Sequence, residues 1–422
     1  MDDELIDRIK ADMRYEYERT APPDGFPAFH DIPTGRHTSD LFHDLEQEHL
    51  WPRTWVIAGR AEDIPDPGDY FTFEDLGVPL LIVRSTDGEV RCYYNTCQHR
   101  GAPVVRDERG SSRRLRCQYH SWTYEIDEGA LVSVPDERDF VDLDWQQRCL
   151  PRASCDTYGG FIFVNRDLDA TPLREWIGPL AEMLDPFQGE TLREVYRESR
   201  IVPCNWKVTA EAFLEVYHFR HIHSHDGVSI LDNRGAAMGL YPHGHSRMIT
   251  PYSKQNIERV GMRDWDDWRL LDHGAFPAID GVPGMVDCTS TAVSIFPNAI
   301  IPLGRFGFPI NMFWPIDRNT TRLDWIYYAP TVDGDRGDSS DDLPVHWQLR
   351  RAQYNAIMAE DEMNMAPIQQ SLESPAIEGI PINYQERRIW HLHEEIDRII
   401  GPANIPAELR MEQLLAPYVQ LA

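Results

Sequence analysis

Short apolar runs separated by Gly, Pro and Asp dominate the first 170 residues of the chain. Such runs, when turn residues bound them, predict β-strands. Strands are predicted at residues 54–59, 70–74, 78–84, 89–94, 122–126 and 161–165. With a short helix at residues 38–49, they predict an antiparallel β domain over residues 41–167, preceded by a peripheral arm over residues 1–40.

Beyond residue 170, apolar residues recur at helical spacing. Helices are predicted at residues 172–184, 205–219, 343–372 and 384–400, the last of them on the surface. Apolar segments at residues 291–303, 306–314 and 322–328 predict strands, and the Gly- and Ser-rich residues 333–342 an exposed loop. The predicted fold class is α+β: an N-terminal antiparallel β domain, then a domain over residues 168–422 whose antiparallel sheet is covered by helices.

The length and the net charge of the chain disfavour some classes of function. A chain of 422 residues is long enough for two hydrophobic cores. Its 41 Lys and Arg against 69 Asp and Glu give a net charge of −28, which repels phosphate backbones and anionic lipids. Nucleic-acid and membrane functions are therefore disfavoured. Because the start of the chain is acidic and no long apolar run occurs, we expect a cytoplasmic protein.

Two short Cys/His loops lie within the predicted β domain. Cys97 and His99 are two apart, and Cys117 and His120 are three apart. Seven cysteines in a long chain of this type do not indicate a disulfide framework, so the cluster is typical of a metal site. Two such loops can close a tetrahedral or a binuclear centre. Structural zinc on the same side chains is the alternative, disfavoured by the one-residue gap of the first loop and the β context of both.

A second group of candidate ligands lies on the predicted helix 205–219. Glu211, Glu215 and His218 fall at i, i+4 and i+7, hence on one face of a helix. Three polar groups on one stripe are consistent with a metal site, and also with a plain polar face.

His218 and His223 form a candidate ligand pair. They are five apart, roughly 140° around an ideal helix, so both can bind one metal only if the helix bulges or ends between them. His221 and His225 offer competing pairs, and a polar helix end without a metal also fits this histidine-rich stretch.

Asp361 falls within an apolar stripe of the predicted helix 343–372. The apolar members of this stripe are Tyr354, Ile357, Met365, Ile368 and Leu372. A carboxylate on a buried face needs a metal, a cation or several donors, because an unpaired buried charge is costly. A buried ion pair with an arginine is the alternative to a metal. Glu360 and Glu362 lie about 100° to either side and are predicted to be solvated.

With its flanking residues, the first group resembles the Rieske [2Fe–2S] motif of the Rieske non-haem iron oxygenases. Arg100 and Gly101 follow the first pair, and Trp122 and Tyr124 follow the second. The resemblance implies that two cysteines hold one iron and two histidines the other. The implied cluster ligands are Cys97, His99, Cys117 and His120. Ser121 stands where the motif usually has Gly, a change that we expect to be tolerated.

The second group resembles the catalytic domain of the large (α) subunit of the same oxygenases. The matching residues are Asn205, Trp206, Lys207, Glu211, Tyr217, His218 and His223, and more loosely Glu360, Asp361 and Asn364. The resemblance implies a mononuclear Fe(II) held by two histidines and one carboxylate, the facial triad of Fe(II) oxygenases. The implied iron ligands are His218, His223 and Asp361. Taken together, the two resemblances cover the chain from about residue 40 onward.

Two positions depart from the family pattern. The family commonly has Asp three residues before the first ligand histidine, where it links that histidine to a cluster histidine of the neighbouring subunit; this chain has Glu215. Glu215 is thus the implied catalytic residue. In having glutamate at this position, the chain is similar to oxygenases that demethylate quaternary amines such as carnitine. The Asn that often follows the family's glutamate is Ala212 in this chain.

The resemblance implies a terminal oxygenase component that uses O₂ and electrons from NAD(P)H to hydroxylate an aromatic or other apolar small molecule. No Gly-x-Gly-x-x-Gly fingerprint occurs, so the electrons are expected through a separate reductase or ferredoxin. The family implies a homotrimer and allows a small β subunit. Phe219, Phe296, Met312 and Trp314 could line the substrate pocket, although stripes of this kind more often belong to a plain core.

Two other functions stay open at this point. A Rieske mono-oxygenase that removes N- or O-methyl groups, or attacks a quaternary amine, fits Glu215. A non-catalytic Rieske electron carrier would keep the first group and use the second only as structure.

Overall fold

The computed structural model describes residues 1–225, 228–268, 277–330 and 343–421. The chain divides into two compact units: Glu48–Trp176 forms the smaller, and Met1–Gln47 with Ile177–Ala422 the larger. The division drawn from the sequence, after residues 40 and 167, stays a prediction. The loop predicted at residues 333–342 lies outside the described residues.

Antiparallel sheets build the smaller unit, as its short apolar runs predict. Its strands are β1 (Val56–Arg60), β2 (Asp69–Phe73), β3 (Leu80–Arg84), β4 (Val90–Tyr94), β5 (Arg109–Ser111), β6 (Arg114–Arg116), β7 (Thr123–Glu125), β8 (Leu131–Ser133), β9 (Arg152–Tyr158) and β10 (Phe161–Asn165). One sheet has the order β1-β10-β9-β4-β3-β2-β5, and a smaller one the order β6-β7-β8. The sequence pattern missed β5, β6, β8 and β9 because these strands expose much of their length and so lack a clear apolar run.

The larger unit is built on a seven-stranded antiparallel sheet, as predicted. Its strands are β11 (Arg193–Val202), β12 (Ala237–Leu240), β13 (Ser246–Pro251), β14 (Thr289–Ile295), β15 (Ala299–Leu303), β16 (Phe308–Asp317) and β17 (Thr320–Ala329). Their order is β11-β17-β16-β15-β14-β13-β12. The chain therefore runs from β12 to β17 as a meander, and β11 completes the sheet beside β17.

Helices of the described residues lie mostly in the larger unit. They are α1 (Asp3–Glu18), α2 (Gly35–Thr38), α3 (Asp40–Leu45), α4 (Leu173–Ile177), α5 (Ala181–Leu184), α6 (Trp206–Ala212), α7 (Phe219–Ile222), α8 (Lys254–Arg259), α9 (Met285–Cys288), α10 (Val345–Leu372) and α11 (Arg387–Ile400). The single helix predicted at residues 172–184 is interrupted, because Gly178 adopts φ 54° and Pro179 has no N–H to donate. None of the described helices is long and apolar enough to span a bilayer.

The N-terminal 40 residues pack into the larger unit. Helix α1 buries Leu5, Ile9 and Met13, which lie four apart on one face. Further along, Arg36 is buried and donates from Nη1 to Asp397 Oδ1 at 2.6 Å and to the Leu409 carbonyl at 2.7 Å. The start of the chain is thereby tied to its last quarter.

We expect Arg36→Met to lower the free energy of unfolding by about 3–5 kcal/mol, since the buried Asp397 loses its cation. Arg14→Met is the control, because Arg14 is 59% exposed and pairs with the surface Asp266 at 3.4 Å. That change should cost less than about 1 kcal/mol. Urea unfolding measures both, and equal losses would contradict the burial argument.

Helix α11 is buried, so its predicted surface position is wrong. Its buried ionisable residues are Arg387, Arg388, His391, His393, Glu394, Glu395 and Asp397. Charged residues on a helix usually indicate a solvated face, but here several of them meet buried polar partners such as Arg36. Periodicity cannot distinguish water from such a partner, because both favour polar residues.

Candidate metal centres

The two Cys/His loops of the smaller unit have the same backbone hydrogen bonds. In each, the cysteine N–H donates to the carbonyl five residues on, and the cysteine carbonyl accepts the N–H four residues on, at 2.8–2.9 Å. Both turns require a left-handed residue at the same place: Gly101 has φ 75° and Ser121 has φ 61°. The family's preference for Gly at position 121 therefore has a conformational cause.

Ser121→Gly should stabilise the smaller unit by about 1 kcal/mol, because a side chain in the left-handed region is strained. Ser121→Val should destabilise it by about 1–3 kcal/mol, since a β-branched side chain tolerates this conformation poorly. Loss of the cluster's visible absorption on heating measures both effects. A valine variant as heat-resistant as the natural chain would show that the turn is not strained.

The four side chains of these loops fit a binuclear cluster. The thiols of Cys97 and Cys117 are buried and adjacent, and the rings of His99 and His120 have centroids 4.6 Å apart. Within the described residues, the buried His99 Nδ1 has no hydrogen-bond partner, as expected of an atom that is free to bind a metal. Burial raises the pKa of Cys97 and lowers that of His99, so it favours the neutral form of both side chains.

In the larger unit, His218, His223 and Asp361 converge on one point. The two Nε2 atoms are 3.2 Å apart, and Asp361 Oδ1 lies 3.6 Å from His218 Nε2 and 3.1 Å from His223 Nε2. Neighbouring ligands on a metal with bonds of about 2.1 Å are about 3 Å apart. Two imidazoles and one carboxylate at this spacing fit one face of a metal ion.

The local backbone explains how both histidines reach this point. Helix α6 ends at Ala212, so the prediction of one helix through residue 219 is wrong. The chain turns, and the one-turn helix α7 begins after His218 and ends before His223. Glu215 Oε2 forms the turn by accepting the backbone N–H groups of Tyr217 and His218. Because α7 ends between His218 and His223, the condition that their five-residue spacing imposes is met.

Of the two competing histidines, the structure places His221 away from the site. His221 is exposed on α7 and lies 3.3 Å from Arg220 Nε. The side chain of His225 lies outside the described residues.

Helix α10 delivers Asp361 from its buried face. The residues buried along this face near the site are Met358, Asp361, Met365, Gln369 and Leu372. Two members of the predicted stripe, Ile357 and Ile368, are instead 44% and 45% exposed, because the buried face runs through Met358 and Gln369. Asp361 is 7% exposed, and its ionic partners among the described residues are the two imidazoles rather than an arginine.

Each candidate ligand histidine has a carboxylate at its other nitrogen. Glu215 Oε1 is hydrogen-bonded to His218 Nδ1, and Glu360 Oε2 lies 2.7 Å from His223 Nδ1. The predicted solvation of Glu360 and Glu362 is therefore wrong. Glu362 accepts two hydrogen bonds from Arg200 of β11 at 2.8–2.9 Å, because α10 packs beside that strand.

The site is strongly acidic without a cation. Burial works against protonation of His223, but Asp361 and Glu360 outweigh it and raise the pKa of this imidazole. A divalent ion would relieve the same excess of negative charge. Metal binding and protonation of His223 therefore compete.

Two family models match the chain. The Rieske [2Fe–2S] domain matches residues 54–151, and the catalytic domain of the ring hydroxylating alpha subunit matches residues 189–402, half of the chain. The chain belongs to the ring-hydroxylating α-subunit family. These domains are those of a [2Fe–2S] cluster and a mononuclear iron, which confirms the two predicted cofactors.

Relatives of this α subunit include dioxygenase α subunits. It is 30% identical over 267 residues to the 2-aminobenzenesulfonate 2,3-dioxygenase subunit alpha of Alcaligenes sp, covering 62% of this chain and 64% of that one. It is 34% identical over 188 residues to the biphenyl 2,3-dioxygenase subunit alpha of Rhodococcus jostii (strain RHA1), covering 43% and 41%. The chain thus spans less than two thirds of the length of either relative.

The fold of this α subunit also resembles that of a solved Rieske oxygenase. The quaternary ammonium Rieske monooxygenase CntA, in complex with an inhibitor, matches with a TM-score of 0.69 and 19% identity, over 88% of this chain and 95% of that one. The predicted arrangement of a Rieske domain followed by an α+β catalytic domain is confirmed.

Glu211 lies outside the group formed by His218, His223 and Asp361, although the helical spacing predicted that it shares a stripe with His218. Its Oε1 lies 2.7 Å from His37 Nε2 and 2.8 Å from His393 Nε2. The reason is the end of α6 at Ala212, after which Glu215 and His218 follow a different path. No local signal identifies His37 or His393, since they are 174 and 182 residues away from Glu211.

This second group of two histidines and a carboxylate is a hydrogen-bond network in the α subunit. Arg36 Nε donates to His393 Nδ1 at 2.9 Å, so the ring proton of His393 lies on Nε2 and points at Glu211. Burial lowers the pKa of His393 to about 3, which keeps the ring neutral. Both histidine nitrogens are at hydrogen-bond distance from a single oxygen, closer than the facing atoms of His218, His223 and Asp361 are to one another.

Of the four candidate pocket residues, Phe219 lies at the site. Its ring centroid is 4.8 Å from that of His218 and 5.0 Å from that of His223. Phe296, Met312 and Trp314 are at most 7% exposed and belong to the core.

Proposed function

We propose that this α subunit is the terminal component of an oxygenase that uses O₂ and two electrons from NAD(P)H to hydroxylate an aromatic or other apolar small molecule. The convergence of His218, His223 and Asp361 carries the proposal, because three ligands on one face leave further positions of an iron open. Relatives named for biphenyl and benzene support an aromatic substrate. When bound, the cluster supplies one-electron transfer and the iron supplies O₂ activation.

We assign the ligands as the sequence predicts. The proposed cluster ligands are Cys97, His99, Cys117 and His120, and the proposed iron ligands are His218, His223 and Asp361. The buried thiol pair, the unpartnered His99 Nδ1 and the spacing of the triad support these assignments.

Glu215 is the proposed catalytic link. Its Oε1 holds His218 Nδ1, which directs the lone pair of Nε2 toward the metal position. Its Oε2 accepts two backbone N–H groups, which hold the carboxylate in this orientation. In a homotrimer, we propose that Glu215 meets His120 of the neighbouring protomer. We further propose that electrons arrive through a separate reductase or ferredoxin and that the protein is cytoplasmic. A small β subunit is optional in this proposal.

A second candidate is oxidative demethylation or attack on a quaternary amine. The specific observation is glutamate rather than aspartate at position 215, together with a fold like that of CntA. Products separate the candidates. Loss of an N- or O-methyl group releases formaldehyde, cleavage of another C–N bond of a quaternary amine releases an amine and a carbonyl compound, and ring hydroxylation keeps all carbon atoms of the substrate in one product.

The test is a substrate screen with a surrogate reductase. O₂ and NADH consumption and product formation are measured across aromatic and methylamine compounds. Coupled product formation with any of them supports an oxygenase, and the product assigns the class. About two irons per chain, without a third, would indicate the electron carrier instead.

A further inference from the structure

Adjacent residues of helix α10 approach the same imidazole from its two sides. Asp361 Oδ1 lies 3.1 Å from His223 Nε2, and Glu360 Oε2 lies 2.7 Å from His223 Nδ1. A neutral imidazole has one N–H, and its other nitrogen offers a lone pair. If Nε2 binds the metal, the proton must be on Nδ1, where Glu360 is placed to accept it.

We infer that Glu360 is a positioning residue for the iron ligand His223, an inference that rests on the proposed function. Helix α10 then supplies one metal ligand and, from the next residue, the group that orients another. A carboxylate that accepts from a ligand histidine fixes its tautomer and ring orientation and increases its basicity.

The carboxylates of Glu215 and Glu360 are held beside their histidines in different ways. Glu215 lies three residues before the histidine it supports and is pinned by the backbone of its own turn. Glu360 is 137 residues from His223 and reaches it only through the tertiary structure, in which α10 packs beside α6. Its side chain is 26% exposed, against 7% for Asp361, so it lies at the edge of the buried face.

The charge balance gives Glu360 a second effect. Glu215, Glu360 and Asp361 bring three negative charges to two neutral imidazoles, which leaves a net charge of −1 with a divalent ion bound. Removing the charge of Glu360 makes the site neutral and should weaken its hold on Fe(II). Glutamine keeps an acceptor oxygen and loses the charge, and alanine removes both.

Glu362 offers a matched control on the same helix. It is also a partly buried carboxylate, 19% exposed, but it pairs with Arg200 and not with a ligand histidine. Glu362→Gln therefore changes the same charge at nearly the same place without touching the iron site.

The experiment is an Fe(II) titration of the intact chain, its cluster in place, under anaerobic conditions against a competing chelator. We expect Glu360→Ala to lower the affinity for the mononuclear Fe(II) about 10–100-fold, Glu360→Gln to lower it less, and Glu362→Gln to leave it unchanged. The spin-resonance signal of the ferrous site with nitric oxide should change shape in Glu360→Gln but not in Glu362→Gln.

Unfolding temperatures show that the variants are folded, and the near-isosteric glutamine keeps the test valid should alanine fail to fold. Natural affinity and an unchanged signal in Glu360→Gln would overturn the inference. If the natural chain binds no third iron, or Asp361→Ala keeps it, the proposed function fails instead.

Discussion

Asp361→Ala is expected to lose the mononuclear iron and all coupled hydroxylation while keeping the visible absorption of the cluster. The change removes one of three ligands, and the two imidazoles left behind cannot complete a facial triad. The effect should exceed the roughly 10–100-fold loss typical of groups that only support ligands. Iron analysis should show about two irons per chain in place of about three, with sulfide unchanged.

Gln369→Ala is the control for general damage to α10. Gln369 is 4% exposed and accepts the Asn205 N–H at 2.9 Å, eight residues from Asp361 on the same helix. Its loss should destabilise the chain by about 1–3 kcal/mol and leave the third iron in place. Iron retained by Asp361→Ala would refute the ligand assignment.

Glu215→Gln is expected to retain both metal centres and to lower coupled turnover about 100-fold. The amide has one acceptor oxygen, whereas Glu215 uses both oxygens: one for His218 Nδ1 and one for two backbone N–H groups. Its NH₂ group must face a donor at one of these places. Single-turnover oxidation of the reduced cluster by O₂ and substrate measures the effect directly.

Glu215→Asp is the matched control, because it shortens the side chain and keeps the carboxylate. The family commonly has aspartate at this position, so this variant should retain substantial turnover. If Glu215→Gln turns over normally, the proposed link between the two centres has to be abandoned.

The candidate site was predictable from the sequence where its chemistry is local. Cys97 and His99 share one turn, and the spacing of His218 and His223 already required the helix to bulge or to end between them. Asp361 was recognisable as a carboxylate within an apolar stripe, although Ile357 and Ile368 on that stripe are exposed. Candidate ligands can thus be predicted where their spacing or their burial conflicts with the local sequence pattern.

The supporting groups could not be predicted in this way. Periodicity predicts that Glu360 is solvated, and only the tertiary packing of α10 gives it His223 as a partner. Likewise, Glu211 meets His37 and His393 through contacts more than 170 residues apart in the chain. In both cases the side chain is ordinary for its element, and its partner is set by tertiary structure.

The insertion of the smaller unit into the larger one has a consequence for biosynthesis. All strands of the smaller unit are complete once Trp176 has left the ribosome, so this unit is able to fold during translation. The larger unit has to wait, because Arg36 binds Asp397 and the carbonyl of Leu409. Nascent chains arrested so that Trp176 has just emerged from the ribosome should therefore already resist protease over the cluster domain, while their first 47 residues are still cleaved.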